Sequence, residues 1–70
     1  MEIVLNGQPR DVPLDPQSAT LQSLIEQLEM KTDRIAVERN GEIVRRPEWP
    51  STQLVAGDRL EIVHFVGGGL

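Results

Sequence analysis

Apolar and polar positions alternate from the first residue, with Met1, Ile3 and Leu5 on one side and Glu2, Val4 and Asn6 on the other. A period of two is that of a β-strand. Asn6-Gly7 follows. A type I′ turn needs positive φ at both central residues, which Asn and Gly adopt most cheaply. The return strand runs through Arg10, Asp11 and Val12. Pro9 and Pro13 bring no amide to a ladder, which assigns this strand to a sheet edge. Asp15-Pro16-Gln17-Ser18 reads as a loop. The period then changes: Leu21, Leu24, Ile25 and Leu28 form one helical stripe, with Gln22, Ser23, Glu26 and Gln27 on the wet side. Thr20 precedes the stripe and is the expected N-cap. Helix-forming character fades from Met30 to Thr32.

Alternation resumes at Ile35 to Arg39, with Ile35 and Val37 facing one way. Asn40-Gly41 repeats the hairpin signal, and Glu42 to Arg46 is the partner strand, with Ile43 expected to point inward. Arg46 to Gln53 carries two prolines and the single Trp and reads as irregular connection. Ala56-Gly57-Asp58 is a turn. Arg59 to Val66 is the last and most apolar strand, expected at the sheet centre and parallel to the first. The order strand, strand, helix, strand, strand, strand predicts an α+β domain, a mixed five-stranded sheet with one helix packed across one face. The expected division is a single domain over 1–66 and a flexible glycine tail over 67–70.

Seventy residues allow one domain. There is no Cys for a disulfide or thiolate ligand, and the one His, His64, builds no metal site alone. Stability must come from a single apolar core, so few of the 39% hydrophobic positions are spare. No apolar run approaches the roughly 20 residues of a membrane span. With the strand pattern starting at Met1, no targeting segment is expected before the fold. A net charge of −4 argues against sequence-independent nucleic-acid binding, which relies on clustered Lys and Arg. With no Cys, no Tyr and one Lys, the chain is not expected to be a self-sufficient enzyme, and no catalytic residue is assigned.

The chemistry lies at the end. Gly67, Gly68 and Gly69 follow a strong strand, and only Leu70 comes after them. A carboxylate behind consecutive glycines threads a narrow cleft because no Cβ obstructs the backbone. Such a carboxylate becomes an electrophile once it attacks the α-phosphate of ATP, and a sulfur or nitrogen nucleophile then displaces AMP. Taken alone, the same three glycines also describe a loose terminus.

Three segments decide between these readings: Val37-Glu38-Arg39-Asn40-Gly41-Glu42, Gly57-Asp58-Arg59-Leu60-Glu61-Ile62 and Val63-His64-Phe65-Val66-Gly67-Gly68-Gly69. With them, essentially the whole chain resembles the ubiquitin-like β-grasp sulfur carriers, of the ThiS type that serves thiamine biosynthesis. The resemblance implies that the carboxylate of Gly69 is adenylated by an E1-like enzyme using ATP and Mg²⁺. Sulfur from a cysteine-derived persulfide then replaces AMP to give a thiocarboxylate, which thiazole synthase consumes. The carrier itself binds no cofactor or metal, and its setting is cytoplasmic. Family members end at glycine, whereas Leu70 follows here. Leu70 is expected to be a cloning residue or to be removed before activation.

Related functions stay open beside this one: a carrier for molybdopterin or tRNA thiolation or for a cysteine precursor, a protein modifier joined to lysines, or a non-covalent ubiquitin-like binding module. Val63 and Phe65 fall on the strand face opposite Leu60 and Ile62, as a partner-binding patch or as residues packed under a loop. Trp49 reads as a lid on the core edge or as a docking anchor, Arg45-Arg46 as a solvated pair or a recognition site, and His64 as structural rather than catalytic.

Overall fold

The computed structural model describes residues 1–65. β1 (Glu2–Leu5) and β2 (Gln8–Asp11) form the first hairpin, and α1 (Leu21–Gln27) crosses to β3 (Ile35–Arg39) and β4 (Glu42–Val44), the second hairpin. A 3₁₀ segment, Arg46–Ser51, leads to β5 (Arg59–His64). The sheet order is β2-β1-β5-β3-β4. β5 lies at the centre, parallel to β1 and antiparallel to β3. β2, with its proline, is an edge strand as expected.

Both Asn-Gly pairs adopt the positive φ a type I′ turn requires, 50° and 83° at Asn6-Gly7 and 52° and 90° at Asn40-Gly41. Their asparagines have a second role that the turn signal did not reveal: both pin the hairpins to β5. Asn6 accepts from the Ile62 amide through Oδ1 (2.8 Å) and donates to the Ile62 carbonyl through Nδ2 (3.3 Å). Asn40 accepts from the Arg59 amide (2.9 Å) and donates to Asp58 Oδ1 (3.1 Å).

Thr20 caps α1 with a reciprocal pair of bonds. The Ser23 amide donates to Thr20 Oγ1 (3.1 Å) and the Thr20 amide to Ser23 Oγ (2.8 Å). Leu21, Leu24 and Ile25 are fully buried, whereas Leu28 at the C-cap is only partly covered. The helix ends in a Schellman motif, with the Glu29 amide on the Glu26 carbonyl (3.1 Å) and the Met30 amide on the Ile25 carbonyl (3.3 Å). Glu29 therefore holds φ = 58°, where glycine is the usual residue.

The helix packs on one sheet face, against Ile3, Leu5, Ile35, Val37, Leu60 and Ile62. The 3₁₀ segment and the chain after it close the core. Trp49 is buried and donates through Nε1 to the Val44 carbonyl (2.9 Å), so it is a core residue and not a docking anchor. Leu54 is buried beside it, and Leu21–Thr52 and Ala19–Leu54 backbone bonds tie this segment to the helix start.

Among the described residues one buried side chain is charged. Asp58, 5% exposed, accepts from the Val55 amide and Arg39 Nε on Oδ2 (both 2.9 Å) and from Asn40 on Oδ1. Burial alone raises its pKa. The bonds from Val55, Asn40 and Arg39, with the Arg39 charge, outweigh that and hold it below the ordinary value.

The expectation that Ile43 points inward is overturned: it is 70% exposed, and Val44 takes the inner side. The two-residue turn pairs Arg39 with Glu42, and hence Val37 with Val44 and Glu38 with Ile43. Val37 faces the helix, so Val44 must as well, and Ile43 falls on the opposite face. The last strand is also shorter than expected, ending at His64 rather than Val66. The expected boundary between 1–66 and 67–70 lies outside the described residues.

Candidate functional site

Strand β5 is the last element before the chain end. Its even residues Leu60 and Ile62 are buried under the helix, and its odd residues face away. Val63 is 57% exposed and Phe65, just past the strand, 54% exposed, both on the side opposite the helix as the alternation predicts. The Phe65 amide donates to the Arg34 carbonyl (2.8 Å), which holds this last described residue against the sheet. Gly67, Gly68 and Gly69, the expected reactive tail, lie outside the described residues.

Val63 is not alone on its face. It stands opposite Ala36 of β3, and Ile43 of β4 lies on the same side. Ala36, Ile43, Arg45 and Phe65 also line a shallow groove, together with the core residues Val37, Val44 and Trp49. The structure thus adds Ile43 to the predicted pair Val63 and Phe65. The signal for it was present: the two-residue turn sets the parity of β4. Arg45 and Arg46 are exposed at the rim of this groove.

His64 has the parity of the core residues but lies at the open end of the strand, exposed in a shallow depression with Glu29, Met30, Lys31 and Arg34. Among the described residues no hydrogen bond or ion pair joins it to a carboxylate or a nucleophile. Among the described residues no cluster of three or more His, Cys, Asp or Glu is placed to hold a metal, and no helix is long and apolar enough to cross a membrane.

A five-stranded mixed sheet with a central parallel β1–β5 pair and one helix across a single face defines a ubiquitin-like β-grasp domain. Known structures agree. The crystal structure of the thiamine biosynthesis protein ThiS from Geobacter metallireducens superposes with a TM-score of 0.84 at 31% identity, covering 99% of this chain and 100% of that one. The family model for the ThiS family matches residues 3–69. The chain is 38% identical over 65 residues to the sulfur carrier protein ThiS of Bacillus subtilis, 93% of this chain and 96% of that protein. It is also 39% identical over 69 residues to a thiazole synthase of Paramagnetospirillum magneticum, of which it spans only 20%. The chain belongs to the ThiS family.

Proposed function

We infer that this domain is the sulfur carrier for formation of the thiamine thiazole. Its reactive group is the carboxylate of Gly69. An E1-like enzyme binds ATP and Mg²⁺, and the carboxylate oxygen attacks the α-phosphate, releasing pyrophosphate and leaving an acyl adenylate. A persulfide sulfur displaces AMP, and a second thiol takes the remaining sulfur of the donor to release the thiocarboxylate. Thiazole synthase then accepts the sulfur. The catalytic groups in this scheme belong to the partners; the domain supplies the tail and a surface, centred on Val63 and Phe65, by which they grip it.

The observation that carries this reading is the match along 96% of the Bacillus subtilis carrier, continued through the three glycines. The thiazole synthase name borne by a relative supports the acceptor. ATP as the activating cosubstrate supports a cytoplasmic setting. That relative's length favours a second arrangement with the same chemistry, in which the domain is a module of a longer chain. The Gly69–Leu70 peptide bond must then be hydrolysed before activation.

The test compares the chain ending at Gly69 with the chain ending at Leu70, each mixed with the adenylating enzyme, ATP and a sulfur donor. Only the first is expected to release pyrophosphate and gain a thiocarboxylate, because the leucine side chain adds bulk where the cleft must admit bare backbone. Exchange of oxygen for sulfur changes the mass almost as methionine oxidation does, and Met1 and Met30 both oxidise. The product is therefore identified by thiol-specific alkylation of the C-terminal fragment. Equal activity of both chains would overturn the need for a terminal glycine, and inactivity of both would overturn the carrier reading.

A further inference from the structure

The outer face of the sheet breaks a rule of cross-strand pairing at its centre. Glu38 of β3 stands directly opposite Glu61 of β5. Asn40–Arg59, two pairs away on one side in the same register, and Arg34–Phe65, four pairs away on the other, are each joined by a backbone hydrogen bond. The alternation makes Glu38–Glu61 a pair of that same type, with Cα atoms about 5.5 Å apart. Like charges so placed are destabilising. Both side chains are exposed, and among the described residues neither forms an ion pair. The neighbouring cations on this face, Arg59 two residues along β5 and Arg45 just past β4, leave them unpaired as well.

The surroundings of the pair are apolar. Ile43 lies across from Glu38, Ala36 is two residues along the same strand, and Val63 and Phe65 continue the row beyond Glu61. Ile43, Val63 and Phe65 are each more than half exposed. Two carboxylates side by side within an apolar rim complement a planar cation: a guanidinium donates to both at once, and the rim excludes the water that would screen it.

We propose that this face docks on thiazole synthase by receiving an arginine of that enzyme between Glu38 and Glu61, with Ile43, Val63 and Phe65 packed around it. This rests on the function inferred above and specifies the partner's chemistry: a basic side chain set in an apolar surface. A relative named thiazole synthase contains a segment 39% identical to this chain, which puts a domain of this family in the same molecule as that synthase. The repulsion between Glu38 and Glu61 is a cost to the free domain that binding relieves.

The experiment titrates the full chain into thiazole synthase from the same organism by calorimetry, at low and high salt, for the wild type, E38Q, E61Q, the double variant and F65D. The double variant is expected to bind about tenfold or more weaker and to lose most of the salt dependence of the wild type. F65D is expected to weaken binding at both salt concentrations. Thermal melts of the free chains separate docking from folding. Relief of the like-charge pair leaves the melting temperature of E38Q and E61Q unchanged or raised, and a marked fall in both would overturn the proposal by showing that the carboxylates are held within the domain. Unchanged affinity of the double variant beside weakened F65D would overturn it too, while the carrier reading stands. So would a wild type that forms thiocarboxylate but does not bind thiazole synthase, or one that self-associates through these glutamates. Failure to form thiocarboxylate at all is the separate failure of the inferred function.

Discussion

The two faces of the sheet use similar residues to opposite ends. On the helix side Ile3, Leu5, Val37, Leu60 and Ile62 are almost wholly buried. On the other side Ile43, Val63 and Phe65 stand more than half in water. Among the described residues the covered face forms the one apolar core, which supplies the stability. The open face holds apolar area that folding does not use, with a pair of like charges that folding alone would not favour. Hydrophobicity by itself therefore does not mark the core here. Parity along each strand does, once the helix has chosen a side.

The comparison breaks first at the helix. Leu24→Ala opens a cavity at a fully buried position and is expected to cost about 2–5 kcal/mol by urea denaturation, with Phe65→Asp within about 0.5 kcal/mol of wild type. A loss under half a kcal/mol for Leu24→Ala, or unfolding of the Phe65 variant, would erase the distinction between the faces.

Asp58 sharpens it next, because the covered side admits a charge only with all its bonds made. Asp58→Asn keeps the shape but loses the charge-assisted bonds, and a loss of about 1–3 kcal/mol is expected at neutral pH. The folded pKa lies below the ordinary 3.8, so this contribution is complete above that value and disappears as pH falls from there through the folded pKa. Denaturation curves of wild type and Asp58→Asn are expected to converge on acidification. A constant gap down to the acid limit would show that geometry rather than charge sets the difference.

The smallest effect lies at the rim between the faces. Glu29 holds a left-handed backbone to close the helix, so Glu29→Gly is expected to raise stability by about 0.5–1 kcal/mol, less than the relieved strain because glycine also loosens the unfolded chain. A lower melting temperature for this variant would mean that the side chain contributes more than the backbone strain removes.

Much of the architecture was legible because its signals are local. The two Asn-Gly turns, the Thr20 cap, the Leu21-Leu24-Ile25 stripe and the edge prolines each need only a few neighbouring residues to state their conformation. Ile43 was misassigned because β4 has two adjacent apolar residues and only three in all. Alternation inside so short a strand does not say which one is inward, and the answer comes from the partner strand through the turn. Val63 and Phe65 were placed correctly because β5 is long enough for its own pattern to decide.

Element identity, the two hairpins and the glycine ending belong to the sequence: backbone preference, hydrophobic period and the want of a Cβ act within a few residues of chain. The tertiary structure alone decided three other things. It brought Asn6 and Asn40 onto β5, 56 and 18–19 residues from their partners. It buried Asp58 among three donors from two separate stretches of chain. It also set Glu38 against Glu61 beside Ile43 and Val63. Each depends on register between strands distant in sequence, and register is a property of the assembled sheet.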